Sequence, residues 1–177
     1  MHIQIDSREK EKAIGKILEY FDKAGIQHFV SKLYVADYMS YDNPRLVVDR
    51  KQNLNELCAN LSDVPKKNKD RTIKKDKDGK PLTERKRFLT ELEKAKKAGI
   101  SIVVLCEHGG KIKTLDDVRA WENPRLKESP LTLSGERLYK LLRTLELSDK
   151  YDVVFLFCDK RNTGRRIVEI LSGDKRC

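Results

Sequence analysis

Val35-Ala-Asp-Tyr-Met-Ser-Tyr-Asp-Asn-Pro-Arg-Leu-Val-Val-Asp-Arg-Lys51 is the stretch that decides the fold. Two short apolar alternations flank Asp42-Asn43-Pro44, a turn signature, so it reads as a β-hairpin. Asp37 stands where the first strand begins, and Asp49 and Lys51 stand where the second ends. A hairpin brings its open ends together, which predicts two carboxylates and an ammonium converging at one place. Residues two apart on a strand share a face, so Asp49 goes with Lys51 and Arg50 goes to the other side. Mg²⁺ is commonly held by one or two carboxylates, with waters and substrate phosphates completing the sphere. A lysine beside the ion positions or deprotonates water and neutralises developing phosphate charge. Asp-x-Lys is also short and common, and a solvated strand end is its plain alternative.

The 177 residues are enough for one domain with a real core, and 37% charged against 38% hydrophobic residues points to a soluble globular chain. A net charge of +10 points toward a polyanion, most often nucleic acid, and a ribosome-like or membrane-surface partner would give the same number. The four cysteines, Cys58, Cys106, Cys158 and Cys177, form no Cys-x-x-Cys pair, which argues against zinc. Cys106 and Cys158 end apolar runs and read as small core residues. His2, His28 and His108 have no mutual spacing, so no ligand role is assigned to them. The charged first ten residues and the lack of a membrane-length run set the expectation of an intracellular, reduced protein, cytoplasmic or nucleoid-associated if prokaryotic or viral.

On either side of the hairpin the chain alternates strands and helices. Ile3-Gln-Ile-Asp6 reads as a short strand, followed by a helix with Ser7 as cap, an apolar face of Ile14, Ile17, Leu18 and Phe21, and a stop at Gly25. Asp6 and Glu9 are read as helix capping, with an acidic pair near Asp37 as the alternative. Asn53 to Leu61 is an amphipathic helix. From Lys66 to Arg87 there are eleven Lys and Arg against four acids, with almost no apolar residue. Residues 65–86 are therefore expected to form a mobile basic loop, either simply solvated or neutralising phosphates. Arg87 to Ala98 is a helix, and Ile100 to Cys106 is a strand covered on both faces, closed by Glu107. A short helix from Thr114 to Trp121, a Ser134-capped helix ending near Leu145, a second buried strand from Tyr151 to Cys158 and a Thr163-capped last helix complete the chain. This order predicts an α/β domain with a mixed sheet.

These pieces resemble the nuclease domain of the XPF/Mus family of structure-specific endonucleases, within the PD-(D/E)XK superfamily. The family pattern is Asp-x-Arg-Glu, then Gly-Asp, a strand spacer, Glu-Arg-Lys, three residues and Asp. This chain gives Asp6-Ser-Arg-Glu9, Ala36-Asp37 and Asp49-Arg50-Lys51, and then Arg87-Phe-Leu-Thr-Glu91 and Val103-Val-Leu-Cys-Glu107. Ala36 replaces the glycine, Asp49 replaces glutamate, and Asn55 stands in place of the trailing acid. No tandem helix-hairpin-helix signature is seen, which shifts affinity to self-association or to the basic loop.

The resemblance covers roughly residues 1–108, with only the general fold carried beyond, and the chain is read as a single nuclease-like domain over 1–177 with a restriction-endonuclease-like mixed central sheet flanked by helices. The resemblance implies a metal-dependent DNA endonuclease of recombination or repair that hydrolyses phosphodiester bonds in branched, flapped or junction DNA. Asp37 and Asp49 would ligate Mg²⁺ or Mn²⁺, with the Arg50 carbonyl assisting. Lys51 would act on the attacking water, and Asp6 and Glu9 would support the site. Arg8 and Arg87 would face substrate phosphate or tie the site together, and Arg50 is counted with the DNA-facing cations. Apart from the resemblance, charge alone makes Lys66, Lys67, Lys69, Arg71, Lys74 and Lys75 of the basic loop candidate phosphate contacts, and Lys160 and Arg161, before a helix start, are read as either phosphate contacts or a solvated loop. A homodimer is compatible with this reading. The alternative is a catalytically weak or inactive nuclease-fold module that binds DNA or a partner protein, favoured by Asn55 and the basic loop.

Overall fold

The computed structural model describes residues 1–128 and 132–173, so Cys177 lies outside the described residues. Strand β1 (His2–Ile5) leads to helix α1 (Glu11–Lys23) and strand β2 (Gln27–Val30). The hairpin follows as β3 (Tyr38–Ser40) and β4 (Asn43–Lys51), then α2 (Leu54–Asn60), α3 (Glu84–Lys97) and β5 (Ser101–Glu107). Two 3-10 turns, α4 (Gly135–Glu146), β6 (Val153–Cys158) and α5 (Thr163–Leu171) complete the chain. The six strands form one sheet in the order β2-β1-β3-β4-β5-β6. Only β3 is antiparallel to its neighbours; β1 with β2, and β4 with β5 and β6, pair in parallel. The mixed α/β sheet read from the sequence is therefore the observed fold.

The period-2 alternation of β4 divides the core. Val47 faces a cluster with Leu54, Leu57, Phe88, Leu92, Val104 and Leu142, under α2, α3 and α4. Val48 faces the other cluster, with Ile3, Ile5, Phe21, Leu105 and Ile167, under α1 and α5. Continuing the alternation puts Asp49 and Lys51 on the first face and Arg50 on the second. Cys58, Cys106 and Cys158 are buried as core residues, and burial pushes the Cys58 thiol up to about 11.

Two helix starts differ from expectation. Ser7 does not cap α1, which begins at Glu11 with no side-chain cap. Asp6 holds residues 6–8 in a turn instead, accepting the Arg8 backbone N–H at 2.8 Å. Thr163 does not cap α5 either: buried and first in the helix, it donates its hydroxyl to the Lys160 carbonyl at 3.1 Å. Ser134 caps α4 as expected, accepting from the Arg137 N–H. Helix α3 starts at Glu84, three residues before Arg87, because Thr83 accepts the Lys86 N–H.

The basic stretch buries no side chain between 65 and 86, yet its backbone is paired. Isolated antiparallel bridges join Pro65 to Thr83, Lys67 to Ile73 and Lys75 to Pro81. The Lys66 N–H donates to Leu82, Lys74 to Lys66 and Leu82 to Lys74, each at 2.8 Å, so three segments close a ring. Ion pairs of Lys66 with Glu84 and Lys86 with Asp76 brace it. In hydrogen exchange, the Lys66, Lys74 and Leu82 amides should be slower than those of Lys69 and Lys77; uniformly fast exchange would mean the ring does not persist in solution.

Ala36 enters β3 at φ 61°, a left-handed conformation that disfavours a side chain bearing Cβ. This is the position of glycine in the family pattern. Ala36→Gly should therefore stabilise the fold by about 1 kcal/mol, read as a higher urea midpoint at unchanged slope.

Candidate active site

Because β1, β4, β5 and β6 run the same way, they end on one side of the molecule. That side receives Asp6 after β1, Asp49 and Lys51 from β4, and Glu107 from β5. Antiparallel β3 starts there, which brings Asp37 to the same place. Main-chain bonds fix the junction: Asp6 N–H donates to the Asp37 carbonyl at 2.8 Å, and Asp37 N–H donates to Val48 at 3.0 Å. The Arg50 N–H donates to Asp37 Oδ2 at 2.8 Å.

The structure brings Asp37, Asp49 and Lys51 together. Lys51 Nζ donates to Asp49 Oδ1 at 2.8 Å, with both side chains largely buried. Burial, and then the charge of Asp49, hold the Asp37 carboxyl well above the ordinary range, despite Lys51 and the Arg50 N–H. Burial pulls Lys51 down, but Asp49 and Asp37 outweigh it and leave its ammonium harder to deprotonate than usual. The trio thus sets two carboxylates against one ammonium, which creates demand for a further positive charge. Among the described residues there is no group of three or more His, Cys, Asp or Glu side chains suited to hold an ion. Two carboxylates fit an open Mg²⁺ or Mn²⁺ site, in which water and phosphate complete the shell, and do not fit a closed zinc cage.

On the opposite face Arg50 is sealed in, with 2% of its side chain exposed. Its Nε and one terminal nitrogen donate to Glu9 Oε2 at 3.1 and 2.9 Å, and the other donates to Glu107 Oε1 at 3.0 Å. Tyr38 OH adds a long bond to the same Glu9 oxygen. The expectation that Arg50 faces DNA is corrected: its fork is committed to two carboxylates under the sheet. Asp6 and Glu9 support the trio from beside it: Asp6 through its N–H to the Asp37 carbonyl, and Glu9 through Arg50 and through its charge, which adds to the upward push on Asp37. Asp6 Oδ1 accepts Arg8 Nε and Oδ2 accepts the Leu33 N–H, so that carboxylate is a tie between loops and not a helix cap. Arg8 stays 63% exposed at the rim.

Sequence reasoning places Glu107 at the ligand end of a buried strand and in the family pattern but assigns it no role; the structure makes it a partner of Arg50. Its Oε2 is buried without a partner, so the cluster beneath the site holds more acceptor capacity than Arg50 uses. Asn55 lies in a groove of about 1080 Å³ beside Cys58 and Arg125, its Oδ1 also unpartnered. Beyond Asp49 and Asp37, the acid whose charge reaches Lys51 is Glu56, next to Asn55; Glu56 also accepts the Gln52 N–H. Glu91 accepts the Ala36 N–H at 3.2 Å and thereby holds the approach to Asp37.

Arg87 is exposed and pairs with Glu84 along α3, while the Phe88 ring lies 5.9 Å from Lys51 Nζ. Only three residues join α3 to β5, so the helix runs back along the sheet and its start lies at the active-site end. The basic loop is carried to that end with it. Lys67, Lys69, Arg71, Lys74 and Lys75 are exposed there, while Lys66 is held by Glu84. Lys160 and Arg161 follow β6 on the same side.

The chain resembles two solved structures. One is XPF from Aeropyrum pernix, at 18% identity and a TM-score of 0.60, covering 99% of this chain and 66% of that one. The other is XPF from the same organism in complex with DNA, at 16% identity and a TM-score of 0.57, covering 99% and 65%. The chain thus spans slightly less than two thirds of the length of these structures. No curated protein sequence matches it. The model of the ERCC4 domain matches residues 5–163, from the end of β1 through β6 and the loop after it, and the chain belongs to the ERCC4 domain family.

Proposed function

We propose that this domain is a Mg²⁺- or Mn²⁺-dependent endonuclease that hydrolyses DNA phosphodiester bonds in branched, flapped or junction DNA. The observation that carries this reading is the pairing of Asp37 and Asp49 beside Lys51 at the strand ends, with Asp37 in need of a cation. A bound ion would supply charge to the phosphoryl oxygens and a more acidic water. Asp37 and Asp49 would hold it. The Lys51 ammonium would orient the attacking water and meet the charge that develops on the phosphate. The Arg50 N–H fixes one Asp37 oxygen, and the Glu9–Arg50–Glu107 cluster fixes Arg50. Arg8 at the rim and the exposed loop lysines take the flanking phosphates, the term that makes affinity fall with salt.

A second reading, a weak or inactive module that binds DNA, is favoured by Asn55 in place of the trailing acid. The two readings part in one assay, with labelled flap, fork, four-way junction and plain duplex DNA in Mg²⁺, Mn²⁺ or chelator. Under the first, Asp49→Ala and Lys51→Ala lose about 100-fold or more of the cleavage rate while binding in chelator holds. Absence of metal-dependent cutting by the wild type would leave the second.

Asp37 also predicts a pH signature. Its folded pKa is raised, so the metal-free fold is favoured while Asp37 keeps its proton, and loses stability as pH climbs from 3.8 through the folded value. Asp37→Asn should remove that decline, raising the neutral-pH thermal midpoint in chelator by about 2–4 °C per kcal/mol relieved. It should also abolish stabilisation by Mg²⁺ or Mn²⁺. A wild-type midpoint in chelator that rises from pH 5 to pH 8 in parallel with the variant would contradict this assignment.

A further inference from the structure

The half of the sheet farthest from β6 is covered on one face only. Ile3 and Ile5 point to α1, where Ile14 and Phe21 bury them. On the reverse face Gln4 registers with Phe29 of β2 and with Met39 of β3. Among the described residues no helix packs over that reverse face at β1 and β2: the buried cluster beneath α2, α3 and α4 begins at Val35 and includes no residue of either strand. What it presents is aromatic. Phe29 and Tyr41 lie with ring centroids 5.7 Å apart at 38°, 42% and 56% exposed. Tyr41 is held by its hydroxyl, which donates to Gln4 Oε1 at 3.2 Å, and Gln4 in turn donates to the Lys32 carbonyl at 3.1 Å. The rings are therefore presented in a fixed pose.

A third exposed ring stands toward the active site. Tyr34 follows Leu33, whose N–H is bonded to Asp6, so it belongs to the end where the strands deliver Asp37 and Asp49. Lys94 Nζ from α3 lies 3.6 Å from its centroid. The nearby carboxylates are engaged elsewhere, Asp42 with the Met1 amino group and Glu91 with the Ala36 N–H. The patch is small, two rings on this face with polar Gln4 buried beside them, unlike the extended apolar core of a stable protein interface. Rings on an open sheet face beside cations suit unpaired bases, because every base has a π-face and a duplex hides it.

We infer that this face is a single-stranded DNA track, in which Phe29 and Tyr41 stack unpaired bases and Tyr34 with Lys94 leads the strand toward the Asp37–Asp49 end. The inference rests on the branched-DNA reading above, since only branched or flapped DNA offers the domain both a duplex and a free strand.

The test uses the whole chain in chelator, with a fluorescein-labelled single strand, a blunt duplex, and a single strand carrying 2-aminopurine. Phe29→Ala and Tyr41→Ala should each weaken single-strand binding by about ten-fold, with duplex binding changed less than about two-fold. Phe29→Tyr and Phe29→Trp should bind as the wild type does, and Phe29→Leu should behave as Phe29→Ala. Thermal midpoints establish that the variants are folded. Quenching of 2-aminopurine by the wild type gives a reading that needs no variant. No quenching, unchanged affinity in the double alanine variant, full binding by Phe29→Leu, or a dimer that the alanine variants abolish would each overturn the track. Cleavage of flaps with ring-independent binding would sink the track and leave the nuclease standing. Ring-dependent binding without cleavage would do the reverse.

Discussion

The ion cluster beneath β4 is the constraint on which the rest of the site depends. Arg50 is buried between Glu9, which precedes α1, and Glu107, which ends β5. A guanidinium desolvated to this degree is tolerable only when its donors are met, and removing one partner from such a cluster commonly costs about 3–5 kcal/mol. The cluster therefore joins three separate parts of the chain at the residue whose N–H holds Asp37. The two residues that flank Arg50 in sequence do the opposite job on the opposite face. One strand end thus carries both the Arg50 brace and the Asp49–Lys51 pair, separated only by the pleat.

The working face is costly to hold. Ala36 adopts a left-handed backbone just before Asp37, and Asp37 sits buried beside a second carboxylate. Such expense at one spot is expected where a site is organised for a ligand and not for stability alone. The surrounding packing absorbs it. Val47, Val48, Val104 and Leu105 are almost fully buried, and β4 and β5 are each paired on both edges, which leaves the strand ends little freedom to relax.

Charge at the active-site end is laid out in two tiers. Arg8 and the exposed lysines of the basic loop sit at the rim, where their strength depends on salt. The Lys51–Asp49 pair and the Arg50 cluster lie inside, where screening is weak. The ring of backbone bonds in residues 65–83 lets a stretch without a core present its cations from a paired backbone.

Much of this is legible in the sequence, since the hairpin, the buried strands and the Ser134 cap follow from local pattern. The period of two alone is enough to set Asp49 and Arg50 on opposite faces. Thr163 misleads because a cap-forming residue type does not reveal whether its hydroxyl is already engaged, and Ser7 because the Asp6 turn delays the helix to Glu11. The ring of residues 65–83 escapes because its bonds are backbone-to-backbone and leave no apolar signature. Arg50 escapes for another reason: in sequence a guanidinium facing phosphate and one sealed between two carboxylates look the same. By itself the sequence determined the alternation, the charge and the placing of acids at strand ends, all properties of neighbouring residues. Only the tertiary structure decided which acids meet which cations, because Glu9, Arg50 and Glu107 are brought together by strand order and register, which span the whole chain.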